Sequence, residues 1–248
     1  MAGMTGVFGA VAGMYDDVRP EYPPDIADAI LAYHGGVPAE VVELGAGTGK
    51  GTAVLTRLGA PLTCVEPDPR MAAVLRSRFP AARVHAGTFE QWTPPAGGVP
   101  LIACALAWHW LDAATRNQRC HDALAPGGTL AVFGHKYDYA DHEHARAIAA
   151  ALGSVDPTAK ERPEGWFAGD IAGSGLYTDL ESRVFSRHVP LSTEQYLRLV
   201  QTFSPFRQRT PDLQARGLAV LRSTVDGFGG TVVLDLRTTL ALARRPRA

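Results

Sequence analysis

Cysteine is scarce in this chain of 248 residues, and its three copies, Cys64, Cys104 and Cys120, form no CxxC or CxxxC pair. The odd count argues against a disulfide framework and against a cysteine-based zinc site, and it fits a reducing, cytoplasmic setting. A surplus of charge is missing too: 24 basic residues face 25 acidic ones. A protein that lives on nucleic acid would carry a basic excess, so no nucleic-acid partner is expected. Long apolar runs are absent. The longest, Leu101 to Trp108, falls far short of a membrane span, so no membrane partner is expected. The apolar start from Met1 to Gly13 lacks the basic segment of a signal peptide. Lysine is rare, with only Lys50, Lys136 and Lys160 among the basic residues, which we read as coding bias.

What is present suffices for a sizeable core, since apolar residues make up 46% of the chain and charged ones 20%. Ile26, Ala29, Ile30 and Tyr33 fall on one helical face after Pro23-Pro24, and Gly35-Gly36 ends that helix. Strands are expected at Val41–Leu44, Leu62–Val65, Arg83–Ala86, Leu101–Ala107 and Thr129–Phe133. Helices are expected between them over about 49–58, from Asp68-Pro69 onward, and from Asp112 to Ala125. This alternation predicts a parallel sheet with helices on both faces. Beyond it we expect a helix over 141–152, a loop over 153–175 and a strand over Arg183–Pro190. Two helices follow, one carrying Tyr196, Leu199, Val200 and Phe203 and one starting at Thr210-Pro211, before a last strand from Thr231 to about Ala243.

The sharpest local signal is Val41-Val42-Glu43-Leu44-Gly45-Ala46-Gly47-Thr48-Gly49. A strand feeds a glycine turn that opens a helix, so a ligand can approach the backbone and the unpaired N–H groups of the helix start. Glu66 follows 21 residues after Gly45, at the end of the second strand. An acid there can bind both hydroxyls of an adenosine ribose. The spacing is GxGxG rather than the GxGxxG of dinucleotide enzymes. Glu43 would repel a pyrophosphate but could pair with an ammonium group, which favours S-adenosylmethionine over NAD; a salt bridge or a helix-terminus contact is the structural alternative.

On these residues the chain resembles the class I S-adenosylmethionine-dependent methyltransferases, and more narrowly the small-molecule branch called methyltransferase type 11. Glu43 to Gly49 matches the first motif and Val65-Glu66-Pro67-Asp68 the second. Gly87-Thr88-Phe89-Glu90 falls where an adenine contact is placed, with Thr88 in place of the usual Asp, so that Thr88 or the Phe89 backbone would substitute. Ala105-Leu106-Ala107-Trp108-His109-Trp110-Leu111-Asp112 resembles the strand-four motif with its His-Trp pair, and Leu124-Ala125-Pro126-Gly127-Gly128-Thr129-Leu130 the turn before strand five. Tyr15 to Pro23 resembles the branch's N-terminal cap, in which Tyr15 and Arg19 would approach the methionine carboxylate. The resemblance implies a Rossmann-like, seven-stranded, mostly parallel α/β sheet with an antiparallel last strand. It implies S-adenosyl-L-methionine as cofactor and Tyr15, Arg19, Glu43, Gly45, Ala46, Gly47, Glu66, Pro67, Thr88, Phe89, Ala107 and Trp108 as its binding residues. We expect one domain over 1–248: cap helices in 1–36, a cofactor-binding half in 37–135, a variable substrate side with lid helices in 136–230, and the last strand and tail in 231–248.

Methyl transfer is an in-line displacement in which the protein positions the acceptor and, for some acceptors, removes a proton. His109 and His135, at the ends of strands four and five, are the candidate bases; for His109 a structural place in the turn is the alternative. Tyr137, Tyr139, Trp166 and Tyr196 are candidate acceptor contacts, against surface or core packing. His142 and His144 stand at i, i+2 and point apart on a helix, so no metal is expected. The expected acceptor is a small molecule, and a homodimer is compatible with this reading. A nucleic-acid (RNA) methyltransferase is an alternative that the charge balance opposes, and the Asn/Asp-Pro-Pro-aromatic box of amino-methylating DNA enzymes is missing after strand four. An NAD-dependent oxidoreductase, or a cofactor-binding fold without methyl transfer, are further alternatives.

Overall fold

The computed structural model describes residues 18–155 and 163–247. Seven strands form one sheet: β1 (Val41–Leu44), β2 (Leu62–Glu66), β3 (Arg83–Ala86), β4 (Val99–Ala105), β5 (Leu124–Tyr139), β6 (Thr178–Ser192) and β7 (Thr231–Arg244). Their order is β3-β2-β1-β4-β5-β7-β6. The first five pair in parallel, whereas β7 runs antiparallel between β5 and β6. The parallel core strands are buried on both faces, as their unbroken apolar runs require: β1 and β4 are solvent-free along nearly their whole length.

One face of the sheet is covered by α1 (Asp25–His34), α2 (Lys50–Leu55) and α3 (Pro69–Arg78), whose Ile26, Ile30, Leu55 and Leu75 pack on Val41, Leu101 and Phe133. The other face carries α4 (Arg116–Ala123), α5 (His142–Val155) lies at the far end of β5, and α6 (Trp166–Gly173) joins α4, through Cys120, Phe167 and Ile171 against Ile102 and Val132. A third apolar cluster lies at the far ends of β5, β6 and β7. There α5, α7 (Thr193–Val200), α8 (Ser204–Arg207) and α9 (Pro211–Gly227) gather Ile148, Tyr196, Leu199, Phe206 and Leu221 around Val232 and Leu234.

Local signals set several boundaries. Asp68 caps α3, accepting from the Arg70 N–H at 2.9 Å, with Pro69 at the first helical position. Ser192 and Gln195 form a reciprocal capping box at the start of α7. Other boundaries differ from the sequence reading. The strand expected to reach Ala107 ends at Ala105, because Leu106 turns into the left-handed region (φ 52°). The helix expected from Asp112 begins at Arg116; Asp112 instead organises the preceding turn, accepting from Ala114 N–H and Thr115 Oγ1. Strands β5 and β6 are longer than their apolar cores, since pairing with β7 extends both ladders into polar sequence. Helix α6 lies within the stretch expected to be a loop. Its turn is fixed by tertiary contacts, which carry no periodic signal.

Candidate active site

The strand order reverses between β1 and β4, the point at which ligands bind in open α/β sheets. The glycine turn after β1 stands there. The N–H groups of Gly45 and Ala46 both reach Val65 O, at 2.8 and 3.3 Å, which ties the turn to the end of β2. Gly45 has φ +67°, and a Cβ on it would lie 2.5 Å from Ala107 Cβ. Glycine is therefore required twice over: by the conformation and by the close approach of the segment after β4. Arg78 of α3 donates to Thr48 O at 3.0 Å and braces the turn from the other side.

Glu66 links the turn to the second crossover. Its Oε2 accepts from Gly47 N–H and its Oε1 from Asp68 N–H, both at 2.8 Å. It is buried, and burial pushes its pKa up while those two backbone bonds pull it down. A carboxylate has about four lone-pair sites, so two remain for further donors. Pro67 is exposed beside it. Thr88 follows β3, its N–H held by Gln91 Oε1 at 3.0 Å. Phe89 is packed into the core, and its backbone oxygen accepts from Arg119.

Glu43 departs from the sequence expectation. Its side chain is fully buried and turned beneath the first turn of α2, where Oε2 accepts from Thr52 Oγ1 at 2.5 Å. Direct pairing with a ligand ammonium in an open cleft is not the arrangement seen; the helix-start contact is. The second oxygen, Oε1, has no hydrogen-bond partner, and a Cβ on Gly51 would lie 2.3 Å from it. Burial, opposed by the bonds from Thr52 and Cys64, pushes the Glu43 pKa up to about 8.

Behind Leu106, a 3-10 turn carries Trp108, His109 and Trp110. Trp108 is buried, and its Nε1 donates to Asp170 Oδ2 at 2.8 Å. Arg116 reaches the same carboxylate at 3.0 Å through Nε and at 2.5 Å through Nη2, and stacks on Trp108 and Trp166 at 5.6 and 5.1 Å. This Asp170–Arg116–Trp108 knot pins α6 to the turn after β4. Nothing in the sequence pattern pointed to Asp170 or Arg116. His109 is partly exposed, with its ring 4.5 Å from that of Trp110.

His135 is not presented as an open base. Its ring lies 4.2 Å under that of Tyr22, its Nδ1 is 2.8 Å from Thr238 Oγ1, and its Nε2 is buried beside the Pro20 backbone. Burial, reinforced by the nearby Arg187 and Arg19, lowers its pKa to about 3. Arg19 also differs from expectation. Its guanidinium reaches Thr202 Oγ1 and Thr202 O, both at 2.9 Å, and Tyr137 Oη at 3.4 Å, so it ties the N-terminal segment to the helical cluster. Tyr139 and Tyr196 share a 2.6 Å hydroxyl–hydroxyl bond, and Tyr196 is buried in that cluster, so core packing replaces the expected acceptor contact. Trp166 lies on the opposite face, over Arg116. Tyr15 lies outside the described residues. The described residues contain no group of three His, Cys, Asp or Glu side chains placed to hold a metal. His144 stacks on Phe228 at 3.8 Å.

Comparison with known proteins bears on this geometry. The family model of a methyltransferase domain matches residues 41–128. An uncharacterized methyltransferase of Mycobacterium tuberculosis is 36% identical over 131 residues, which is 53% of this chain and 53% of that protein. The trans-aconitate 2-methyltransferase of Rhizobium meliloti is 40% identical over 107 residues, 42% of this chain and 41% of that enzyme. The matched stretch thus spans about half the length of these relatives. Among solved structures, one assigned as a type II methyltransferase of Anaeromyxobacter dehalogenans superposes with a TM-score of 0.69. It covers 93% of this chain and 99% of its own at 19% identity, a likeness of fold.

Proposed function

We propose, for a chain that carries a class I methyltransferase domain, that it moves a methyl group from S-adenosylmethionine to a small-molecule acceptor by in-line displacement. The observation that carries this reading is Glu66, buried at the end of β2 beside the glycine turn and held by Gly47 and Asp68 with lone pairs to spare. Those lone pairs suit ribose hydroxyls. The orphan Oε1 of Glu43 places a buried negative charge, when ionised, beneath the turn that would face a cationic cofactor. Thr88 and Phe89 stand after β3 where an adenine would be bounded, and Ala107 and Trp108 stand beside the turn.

The cofactor supplies the electrophilic methyl group. The protein's part is to hold the acceptor in line with the methyl–sulfur bond and to keep water away. Where the acceptor atom carries a proton, His109 is the side chain we assign to remove it, because it stands two residues after Ala107 in the turn beyond β4 and is partly exposed. His135 we assign to structure, since Tyr22 covers it. The helical cluster of α5 and α7–α9 serves as the acceptor-side cap, with Tyr137 at its base. A small-molecule acceptor agrees with the trans-aconitate relative and with the balanced charge of the chain. A cytosolic setting agrees with three buried, free cysteines.

Calorimetry with S-adenosylhomocysteine tests the cofactor. Saturable binding is expected, weakened roughly 10- to 100-fold by Glu66→Gln through lost charge-assisted hydrogen bonds. Unchanged affinity in the variant would remove Glu66 from the site. Incubation with methyl-labelled S-adenosylmethionine and a metabolite extract, against tRNA and DNA, tests the acceptor: label in the nucleic acids alone would overturn the small-molecule reading.

A further inference from the structure

A cavity of about 480 Å³ opens between the N-terminal segment, the start of α2, the end of β6 and α7. Its volume falls in the range of small-molecule sites. Its described walls carry four cations, Arg19, Lys50, Arg187 and Arg198, against one carboxylate, Glu21. Glu21 is matched by Lys50, whose Nζ is 2.6 Å from Glu21 Oε1. The Glu21 carbonyl oxygen accepts from Arg187 Nη2. Val189 and Leu191 give the cavity an apolar side.

The location ties the cavity to the chemistry. Lys50 directly follows the glycine turn at Gly49, and Arg19 touches Tyr137 at the far end of β5. The cavity therefore has one wall on the cofactor turn and another on the cap. Arginines from three separate elements line it: Arg187 from β6, Arg198 from α7 and, from the N-terminal segment, Arg19, whose guanidinium holds Thr202 and Tyr137 and so lends the wall its charge. The cationic lining, four positive side chains to one carboxylate, suits the oxygens of carboxylates and phosphates, which arginine binds through charge-assisted hydrogen bonds. The positive field is felt nearby, since Arg187 and Arg19 both help to keep His135 uncharged.

We infer that this cavity is the acceptor pocket and that it takes a small polyanion, an acceptor with two or more carboxylate or phosphate groups. The inference rests on the methyltransferase reading above and narrows its acceptor. The chain's overall charge gives no hint of it, because the cations are brought together only by folding.

Titration calorimetry at low ionic strength tests it, with tricarballylate and glycerol 2-phosphate as probes and the uncharged triamide of tricarballylate as control. Each is titrated into the protein alone and into the protein saturated with S-adenosylhomocysteine. One or both anions should bind while the triamide does not, and the anion that binds identifies carboxylate or phosphate as the recognised group. Arg187→Gln and Arg198→Gln, both at exposed positions, should each weaken that binding roughly 10-fold, and Arg198→Lys should recover part of it. Both variants should keep their affinity for S-adenosylhomocysteine within about 2-fold, since a charge lost across the cavity is largely screened from the cofactor. Equal binding of triamide and acid, no binding of either anion, or indifference to both substitutions would overturn the pocket while leaving the cofactor reading intact. Anion binding without any binding of S-adenosylhomocysteine would overturn its role as acceptor pocket together with the methyltransferase reading.

Discussion

Glu43 is fully buried and His135 is half-buried beneath Tyr22, and their titrations pull stability in opposite directions. In the folded chain Glu43 keeps its proton up to about 8, against 4.5 for an ordinary carboxyl. Between these values the fold holds a proton that the unfolded chain has lost, so this group makes stability fall as pH rises through that window. His135 titrates near 3 in the fold against 6.5 outside it. Its contribution is complete above 6.5 and is lost as acid protonates the unfolded chain between 6.5 and 3. Urea midpoints measured from pH 4 to pH 9 should show Glu43→Gln flattening the alkaline limb and His135→Asn flattening the acid limb. Unchanged limbs would mean that these groups are solvated in solution. The sequence marked both residues as functional from their place at strand ends. It could not show that each turns inward, because the choice of side-chain direction belongs to the packing partners, Thr52 for one and Tyr22 for the other.

Among the elements, the turn after β1 and the helix α6 are held by different means. Gly45→Ala would place a methyl group 2.5 Å from Ala107 Cβ at a left-handed φ. A loss of about 1–3 kcal/mol is expected by chemical denaturation, with weaker S-adenosylhomocysteine binding because the turn must shift. Asp170→Ala would leave the buried Arg116 without its counter-charge. Asp170 is about a quarter exposed, so the full penalty of a broken buried pair is discounted to about 1–3 kcal/mol. A change in tryptophan fluorescence should accompany the loss, since Trp108 donates to the same carboxylate. A denaturation midpoint equal to that of the parent would show that α6 is held by its apolar contacts alone. The first of these elements was legible in the sequence because glycine spacing is a local code. Helix α6 was not, since its anchor is an acid that meets Arg116 across 54 residues.

For the whole molecule, a ligand that binds only the folded state adds stability in proportion to the logarithm of its concentration over its dissociation constant. S-adenosylhomocysteine at 100 times that constant should add about 2.7 kcal/mol and raise the melting temperature, whereas NAD should leave it unchanged. A rise with NAD and none with S-adenosylhomocysteine would reverse the choice of cofactor. The parallel half of the sheet, β1 to β5, followed from apolar runs separated by helical periods, and there the reading and the fold agree in the alternation of elements and in strand direction. The extensions of β5 and β6 were hidden because they are stabilised by the ladder with β7 and not by their own composition.

Sequence alone determined the alternation of elements, the glycine turn and the acid at the end of β2, because short-range stereochemistry and hydrophobic period are written into neighbouring residues. Tertiary structure alone decided which acids and histidines are sealed, which carboxylate pins α6, and that arginines from distant segments meet around one cavity. Those outcomes depend on desolvation and charge pairing between residues far apart in the chain, and neither exists until the core has closed.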